Sequence, residues 1–222
     1  MDRKPLDTEI DHHTAKFIVG AIALSLAMFT DWLTPGTSIS SISLSYHLTD
    51  NARNVFVGSL CVISAFLWSY NGYSLFQAVL SKVGAVAVAA VAFFPCDCFT
   101  GRGIDGDATM TGIVHTASAI LMFLILAIFC WLFYLRAREK DSKEAKVRGR
   151  IYRVCAVAMV GAMAVQLLNI FGVDFSGITQ RVTYYVEATG LMAFGVAWMT
   201  ASRMLPFITN EDERVKIELS GR

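Results

Sequence analysis

The amino-acid sequence predicts an all-α membrane protein, a polytopic bundle of six transmembrane helices with both termini in the cytoplasm. Three observations carry this prediction. Hydrophobic residues make up 55% of the 222 residues and charged residues only 17%, against about 25% charged residues in soluble domains. The apolar residues form six long blocks, and most basic residues fall between them on one side. The chain is therefore predicted to be an integral membrane protein rather than a soluble domain.

Each of the six apolar blocks is long enough to cross roughly 30 Å of hydrocarbon as a helix. The blocks cover about 17–33, 55–73, 75–94, 113–135, 151–173 and 182–204. Helices are expected because lipid offers no hydrogen-bond partner to backbone groups. The Asn71-Gly72 pair predicts a tight turn between the second and third spans. The first block lacks the marks of a cleaved signal peptide, so we expect a retained span.

The basic residues predict the orientation. Eight Lys and Arg residues lie between positions 136 and 153, and the positive-inside rule assigns such a segment to the cytoplasm. The predicted organisation is a cytoplasmic N-terminal segment 1–16, a transmembrane domain 17–204 with a basic cytoplasmic loop 136–150, and a cytoplasmic tail 205–222. Sixteen of the 19 Lys and Arg residues then lie inside. The expected location is the inner (plasma) membrane, as a multi-pass protein.

Polar residues near the membrane concentrate at the predicted outer ends of the spans. The candidates for a ligand pocket are Asp31, His47, Asp97, His115, Gln166, Asn169 and Glu187. Ionisable residues at this depth usually face the bundle interior or a water-filled cavity. The sequence therefore predicts an outward-facing polar pocket, with binding, sensing or transport of a small or lipid-like ligand as its function.

A metal site is the alternative interpretation of the same residues. His47, His115, Asp97 and Glu187 offer nitrogen and oxygen ligands suited to zinc or another divalent metal. A metal-bound water could then attack a lipid or lipid-linked substrate at the outer leaflet, as in a metal-dependent hydrolase. The four residues come from distant segments without a His-x-x-x-His or Cys-x-x-Cys spacing. Both histidines can instead hydrogen-bond neighbouring segments, so the sequence leaves open whether the protein is an enzyme.

The cysteines divide into a loop pair and three residues inside spans. Cys96 and Cys98 lie in the predicted outer loop, where we expect loop thiols with an occasional bond between them rather than a redox catalyst, since a Cys-x-Cys disulfide is geometrically constrained. The sequence leaves open whether the two are oxidised. Cys61, Cys130 and Cys155 are expected to be small apolar fillers. The Gly- and Asp-rich residues 100–111 do not follow the spacing of a calcium-binding EF-hand loop. We predict an ordinary solvated loop there.

Several short motifs together resemble a family of small bacterial multi-span membrane proteins of unknown function. They are Tyr46-His47, a Val-Phe-Val-Gly stretch at 55–58, Phe94-Pro95, Val114-His115 and Glu187 in the last span. The resemblance covers about residues 38–200. It implies the multi-span fold and points to His47, His115 and Glu187, without implying an activity.

A looser similarity is to the membrane hydrolase superfamily of alkaline ceramidases and progestin-receptor-like proteins. Those proteins have seven spans and a His-x-x-x-His pair in the last one, whereas this chain has six predicted spans and lacks the pair. The partners expected from the sequence are membrane lipids, with homo-oligomerisation open and no nucleic acid.

Overall fold

The computed structural model describes residues 12–34, 36, 38–99 and 109–209. Within these ranges the chain forms seven α-helices and no strand. The helices are α1 (His12–Trp32), α2 (Ser45–Leu48), α3 (Asp50–Ser69), α4 (Leu75–Phe93), α5 (Met110–Arg138), α6 (Lys143–Ile170) and α7 (Val182–Ala201). A short 3₁₀ turn covers Asp97–Phe99. The prediction of an all-α protein is confirmed.

The six long helices form a closed ring. Each of α3 to α6 packs on the next helix along the chain, and α7 and α3 both pack on α1. Glycines allow α1 and α7 to approach closely. A Cβ atom added at Gly195 would lie only 2.7 Å from the carbonyl oxygen of Gly20, so a larger residue does not fit there. The backbones therefore touch at this crossing, as small residues permit in membrane bundles.

Local sequence signals explain where the helices begin and end. The hydroxyl groups of Thr49, Ser74, Thr109 and Ser142 accept hydrogen bonds from backbone N–H groups in the first turns of α3 to α6, as N-caps do. The turn between α3 and α4 has Gly72 at φ 62°, a conformation that glycine adopts without steric cost. The predicted Asn-Gly turn is present.

The basic segment differs from the prediction. Residues 136–150 were expected to form a loop, yet α5 continues to Arg138 and α6 begins at Lys143. Only residues 139–142 connect the two helices. The physical reason is that Arg, Lys, Glu and Ala are all good helix formers, and charged ends of a helix can extend beyond the hydrocarbon.

Five helices, α1 and α3 to α6, are long and apolar enough to cross a membrane. The remaining long helix, α7, matches the sixth predicted span in position but is not among these five. Its 20 residues include a glutamate, two tyrosines and three threonines. The helices also expose large apolar side chains outward, such as Val154, Val157 and Val160 on α6, and such a surface suits lipid rather than water.

The interior is filled by aromatic side chains from α5, α7 and the link after α3. Trp198 is fully buried, and its ring lies 4.8 to 5.5 Å from the rings of Phe129, Phe133 and Phe194. Tyr70 adds an edge contact at 5.9 Å. These offset and edge-to-face arrangements are the favourable ones for aromatic rings. The packed centre separates two polar regions at opposite ends of the ring.

Candidate functional site

The first of these regions, here called the polar end, contains the links 38–49, 94–99 and 171–181 with the adjoining helix ends. The second, the basic end, contains the links 70–74 and 139–142, the start of α1 and the end of α7. All seven predicted pocket residues lie in or near the polar end. The structure divides them among several separate sets of contacts.

The carboxylate of Glu187 is surrounded by donors from one short segment. The Ser41 hydroxyl lies 3.0 and 2.9 Å from its two oxygens, and the Ser43 hydroxyl lies 2.9 Å from Oε1. The backbone N–H of Ile42 donates to Oε2. A carboxylate with three such donors is stable away from bulk water. Glu187 thereby fastens the serine link, residues 38–44, to the first turns of α7.

The start of α7 explains why the serine link lies against it. Arg181, the residue before the helix, has no side-chain bond that caps the first turn. The N–H of Tyr184 instead donates to the carbonyl oxygen of Ser40 at 2.9 Å. The serine link therefore acts as the cap of α7, since free N–H groups at a helix start require external acceptors.

His115 joins this cluster through Ser43. Its Nε2 atom lies 3.1 Å from the Ser43 hydroxyl, and its Nδ1 atom lies 2.7 Å from the carbonyl oxygen of Phe94. The ring is buried, with 4% of the residue exposed. Glu187, Ser43 and His115 therefore form a continuous chain of hydrogen-bonding groups that connects α7, the serine link and α5.

The chemistry of these groups determines how many protons the chain holds. A carbonyl oxygen only accepts, so Nδ1 of His115 carries a proton. Ser43 has one proton and two partners. In one arrangement the Ser43 hydroxyl donates to Nε2 of His115, and a protonated Glu187 then donates to the Ser43 oxygen. In the other arrangement the Ser43 hydroxyl donates to Glu187, and a protonated Nε2 of His115 donates to the Ser43 oxygen. One proton, on either terminal group, satisfies both contacts.

His47 and Asp97 belong to a second set of contacts in the 94–99 link. His47 lies in α2, and its Nε2 atom is 2.9 Å from the carbonyl oxygen of Cys96. Asp97 accepts from the N–H and the hydroxyl of Thr109 at 2.9 and 2.6 Å. Because Thr109 is the N-cap of α5, the carboxylate lies at the positive end of the helix dipole.

The structure answers the question that the sequence left open about the loop cysteines. Cys96 and Cys98 form a disulfide, with their Cα atoms 5.2 Å apart. The 3₁₀ turn at Asp97–Phe99 brings the two residues into the range that a disulfide requires. Cys61, Cys130 and Cys155 are free, as predicted.

Asp31 forms an ion pair between α1 and the start of α7. Its Oδ1 atom accepts from Nη2 of Arg181 at 2.6 Å, and Nε of Arg181 donates to the carbonyl oxygen of Ile39 at 2.7 Å. The guanidinium also lies 4.0 Å from the centre of the Tyr184 ring. Asp31 is thus paired with Arg181, and it contributes to the position of the serine link rather than to the Glu187 cluster.

A cavity of about 560 Å³ opens at the polar end between the serine link, the end of α6 and the start of α7. Its lining is mostly hydroxyl and amide groups. The lining residues are Ser40, Ser41, Cys98, Asn169, Asp174, Phe175, Ser176, Thr179, Gln180, Val182 and Thr183. Ser41 both lines the cavity and binds Glu187, so the cavity is one hydrogen bond from the buried carboxylate.

One carboxylate, that of Asp174, lies among the described residues that line the cavity. The N–H and hydroxyl of Ser176 donate to Asp174 at 2.7 and 2.9 Å, and these bonds lower the pKa of the Asp174 carboxyl below its usual value. Asp174 is therefore an anion at neutral pH. None of the described residues that line the cavity is Lys, Arg or His, so its lining favours neutral or cationic groups.

The metal hypothesis receives no support from this geometry. Among the described residues no three His, Cys, Asp or Glu side chains come together to hold a metal ion. Glu187 and both nitrogens of His115 face serine hydroxyls and backbone groups, while His47 and Asp97 bind the 94–99 link and Thr109. Gln166, which was predicted for the ligand pocket and not for the metal, has its Oε1 atom buried with no hydrogen-bond partner among the described residues.

Comparison with protein families matches residues 17–197 to a family described as "Protein of unknown function (DUF998)". The chain belongs to the DUF998 family. The match covers most of the chain and confirms the resemblance to a family of unknown function. No curated protein and no solved structure matches this DUF998 protein. The looser similarity to membrane hydrolases therefore has no support from these comparisons.

Sequence reasoning missed Ser41, Ser43 and Arg181 as parts of the polar end. The signal available was composition, because four of the seven residues in the serine link are serines. A run rich in serine between two apolar spans is a common loop sequence. Only the packing of this run on α7 and α5 shows that its hydroxyls bind Glu187 and His115.

Proposed function

We propose that this DUF998 protein is a six-span membrane protein that binds a small polar ligand in the cavity at its polar end. The single observation that carries the proposal is Ser41, which lines the cavity and donates to the buried Glu187. A ligand in the cavity can compete for this hydroxyl and so alter the contacts of the Glu187, Ser43 and His115 chain. Such a link between a ligand site and a buried carboxylate suits sensing or transport.

The lining supports a particular class of ligand. Hydroxyl groups of Ser40, Thr179 and Thr183 and the amide of Asn169 can both donate and accept, and Asp174 adds a negative charge. These groups suit a polyol, a sugar or an amino alcohol, either free or as the headgroup of a lipid. A dicarboxylate or phosphate would meet the carboxylate of Asp174 and be repelled.

The proposed arrangement puts the polar end outside the inner membrane of a bacterium and both termini in the cytoplasm. The positive-inside rule supports it, because the basic end contains the Lys- and Arg-rich parts of α5 and α6. A reporter enzyme that is active only outside the cytoplasm, fused after residue 222, is expected to be inactive. The same reporter in the 171–181 link is expected to be active. The reverse pattern would contradict the orientation.

Ligand binding is tested on the full-length protein in detergent. A panel of sugars, polyols, amino alcohols and dicarboxylates is screened by thermal unfolding, and each compound that stabilises the protein is titrated by calorimetry. Hydroxylated or amino compounds are expected to bind and dicarboxylates not. Asn169→Ala and Thr183→Ala are each expected to weaken binding about tenfold, the equivalent of about 1.4 kcal/mol for a lost hydrogen bond.

Ser69→Ala is the matched control, because Ser69 is an exposed serine at the basic end whose hydroxyl donates to the carbonyl oxygen of Ala65 in its own helix. It is expected to leave binding unchanged. Preferential binding of dicarboxylates, or equal loss of binding in Ser69→Ala and Asn169→Ala, would overturn the proposed site.

The metal-dependent hydrolase alternative has no group of metal ligands among the described residues, and the cluster does not have the arrangement of a serine hydrolase either. Ser43 and His115 are in contact, but the carboxylate of Glu187 binds the serine, and the second histidine nitrogen binds a backbone carbonyl. In the serine hydrolase triad the carboxylate binds the histidine instead. Ser43 is also buried, with 5% of the residue exposed, away from an incoming substrate.

A further inference from the structure

A groove of about 350 Å³ lies between α5 and α6 at the basic end. Its floor consists of small residues, because Ala137, Ala145 and Gly149 are buried where the two helices touch. A Cβ atom added at Gly149 would lie 3.5 Å from the Cβ atom of Ala137. Longer side chains, such as that of Tyr134, line the groove on both sides of this floor. The contact between the helices is therefore narrow, and the space above it stays open.

The walls of the groove carry guanidinium groups from both helices. Its lining includes Arg138 at the end of α5 and Arg150 and Arg153 on α6, and all three are exposed. Lys146 also lines the groove, where Asp141 lies 3.8 Å away and offsets its charge. Arginine presents paired N–H donors in a planar fork that matches the oxygens of a phosphate. The groove thus offers suitable donors to a phosphate group from two sides.

The three arginines lie at the membrane boundary of their helices. Both α5 and α6 are long and apolar enough to cross a membrane. Arg138 is the last residue of α5, and Arg150 and Arg153 flank the start of the apolar run of α6 at Ile151. Basic grooves between membrane helices at this level meet the phosphates of lipid headgroups. This position favours a lipid as the partner.

The outer face of α6 continues from the groove into an apolar strip. Val154 and Val157 follow Arg150 by four and seven positions, so the three residues share one face of the helix. The two valines are 65% and 64% exposed. Gly161, the next residue on this face, has nothing within 4 Å of an added Cβ atom. The order of charged groove and apolar strip is the order in which a phospholipid presents its headgroup and its acyl chains.

We propose that the groove between α5 and α6 binds an anionic phospholipid. Its phosphate contacts Arg138, Arg150 and Arg153, and one acyl chain lies on Val154 and Val157. A volume of about 350 Å³ suits a headgroup rather than a bare ion, because one water molecule needs only about 10–15 Å³ of such space. The groove is separate from the cavity at the polar end, so either proposal can fail without the other.

Lipid binding to the full-length protein is measured by native mass spectrometry in a neutral detergent. Phosphatidylglycerol and phosphatidylcholine with the same acyl chains are titrated separately. Phosphatidylglycerol is expected to bind about tenfold more tightly, because the choline cation of phosphatidylcholine is repelled by the arginines. Arg150→Gln and Arg153→Gln are each expected to weaken phosphatidylglycerol binding about tenfold, because each removes a charged hydrogen-bond donor.

Lys143→Gln is the matched control, because Lys143 is exposed on the same helix and lies outside the groove lining. It is expected to leave phosphatidylglycerol binding unchanged. Equal weakening by Lys143→Gln and Arg150→Gln would mean a diffuse charge effect and would overturn the site. Equal binding of the two lipids by the native chain would overturn it as well.

A competition experiment separates a lipid from a soluble phosphate. Glycerol phosphate carries the headgroup charge without acyl chains, so it is expected not to displace phosphatidylglycerol at an equal concentration. Val157→Asn makes the apolar strip polar and is expected to weaken the binding of both lipids to the same degree. Displacement by glycerol phosphate as effective as that by phosphatidylglycerol itself would overturn the lipid as the occupant.

Discussion

At the polar end, the carboxyl group of Glu187 is surrounded by donors from residues 41–43, whereas at the basic end six basic side chains line one narrow cavity. The donors of Glu187 all come from one short segment, so a single side chain fixes the position of that segment. The basic side chains come from several segments and are held by separate contacts, such as Arg136 on the Tyr73 ring and Arg148 on the carbonyl oxygen of Ile208. The difference teaches that the loss of one side chain should disturb the polar end more than the basic end.

The largest expected loss of stability comes from removing the carboxyl group of Glu187 at the polar end. Glu187→Ala removes the acceptor of two serine hydroxyls and one backbone N–H, and each hydrogen bond lost costs about 1 kcal/mol. We expect the free energy of unfolding to fall by about 3 kcal/mol or more, measured by denaturant titration in detergent. Glu187→Gln keeps one acceptor oxygen and is expected to lose about half as much. Equal losses in the two variants would contradict the role of the donors.

The next largest loss of stability is expected at the crossing of α1 and α7. Gly195→Ala places a Cβ atom 2.7 Å from the Gly20 carbonyl oxygen, so the helices must separate, at a cost of about 1–3 kcal/mol. Gly161→Ala is the control, because a Cβ there meets nothing within 4 Å. It is expected to be neutral or to stabilise α6 by about 0.5–1 kcal/mol. Identical unfolding curves for the two variants would refute the close crossing.

A smaller effect is expected from the ion pair at the polar end. A double-mutant cycle of Asp31→Asn and Arg181→Gln measures the coupling of the pair, expected at about 0.5–1 kcal/mol. The reference is the Asp50–Arg53 pair, at the same 2.6 Å distance but with side chains 84% and 45% exposed, against 41% and 23% for Asp31 and Arg181. Water screens the more exposed Asp50–Arg53 pair more strongly. A larger coupling energy for that pair than for Asp31–Arg181 would contradict the prediction.

The smallest effect on stability is expected at the basic end. Arg136→Gln removes a guanidinium–ring contact with Tyr73 that is worth about 0.5–1 kcal/mol. The free energy of unfolding is therefore expected to fall by less than about 1 kcal/mol, measured by denaturant titration in detergent. A loss as large as that of Glu187→Ala would mean that the basic end is a structural cluster like the polar end.

Much of the architecture could be predicted because it depends on length and hydrophobicity. Each apolar block became a helix, since helices satisfy their own backbone groups. The boundaries were less predictable, because α5 and α6 continue into charged residues such as Arg138 and Lys143 that hydropathy assigns to a loop. The number of spans and the orientation stay predictions, as does the use of the polar residues as a ligand site.

The sequence alone determined the membrane class, the helical fold and the resemblance to a family of unknown function, and it pointed to His47, His115 and Glu187 as residues to follow. Only the tertiary structure decided their partners. Ser43 is 72 positions from His115 and 144 from Glu187, and a hydrogen bond over such a separation has no local sequence pattern. The same holds for the basic cavity, where cations from four segments converge. Apolar periodicity is a local property of the chain, whereas the partner of a buried charge depends on which helices pack together.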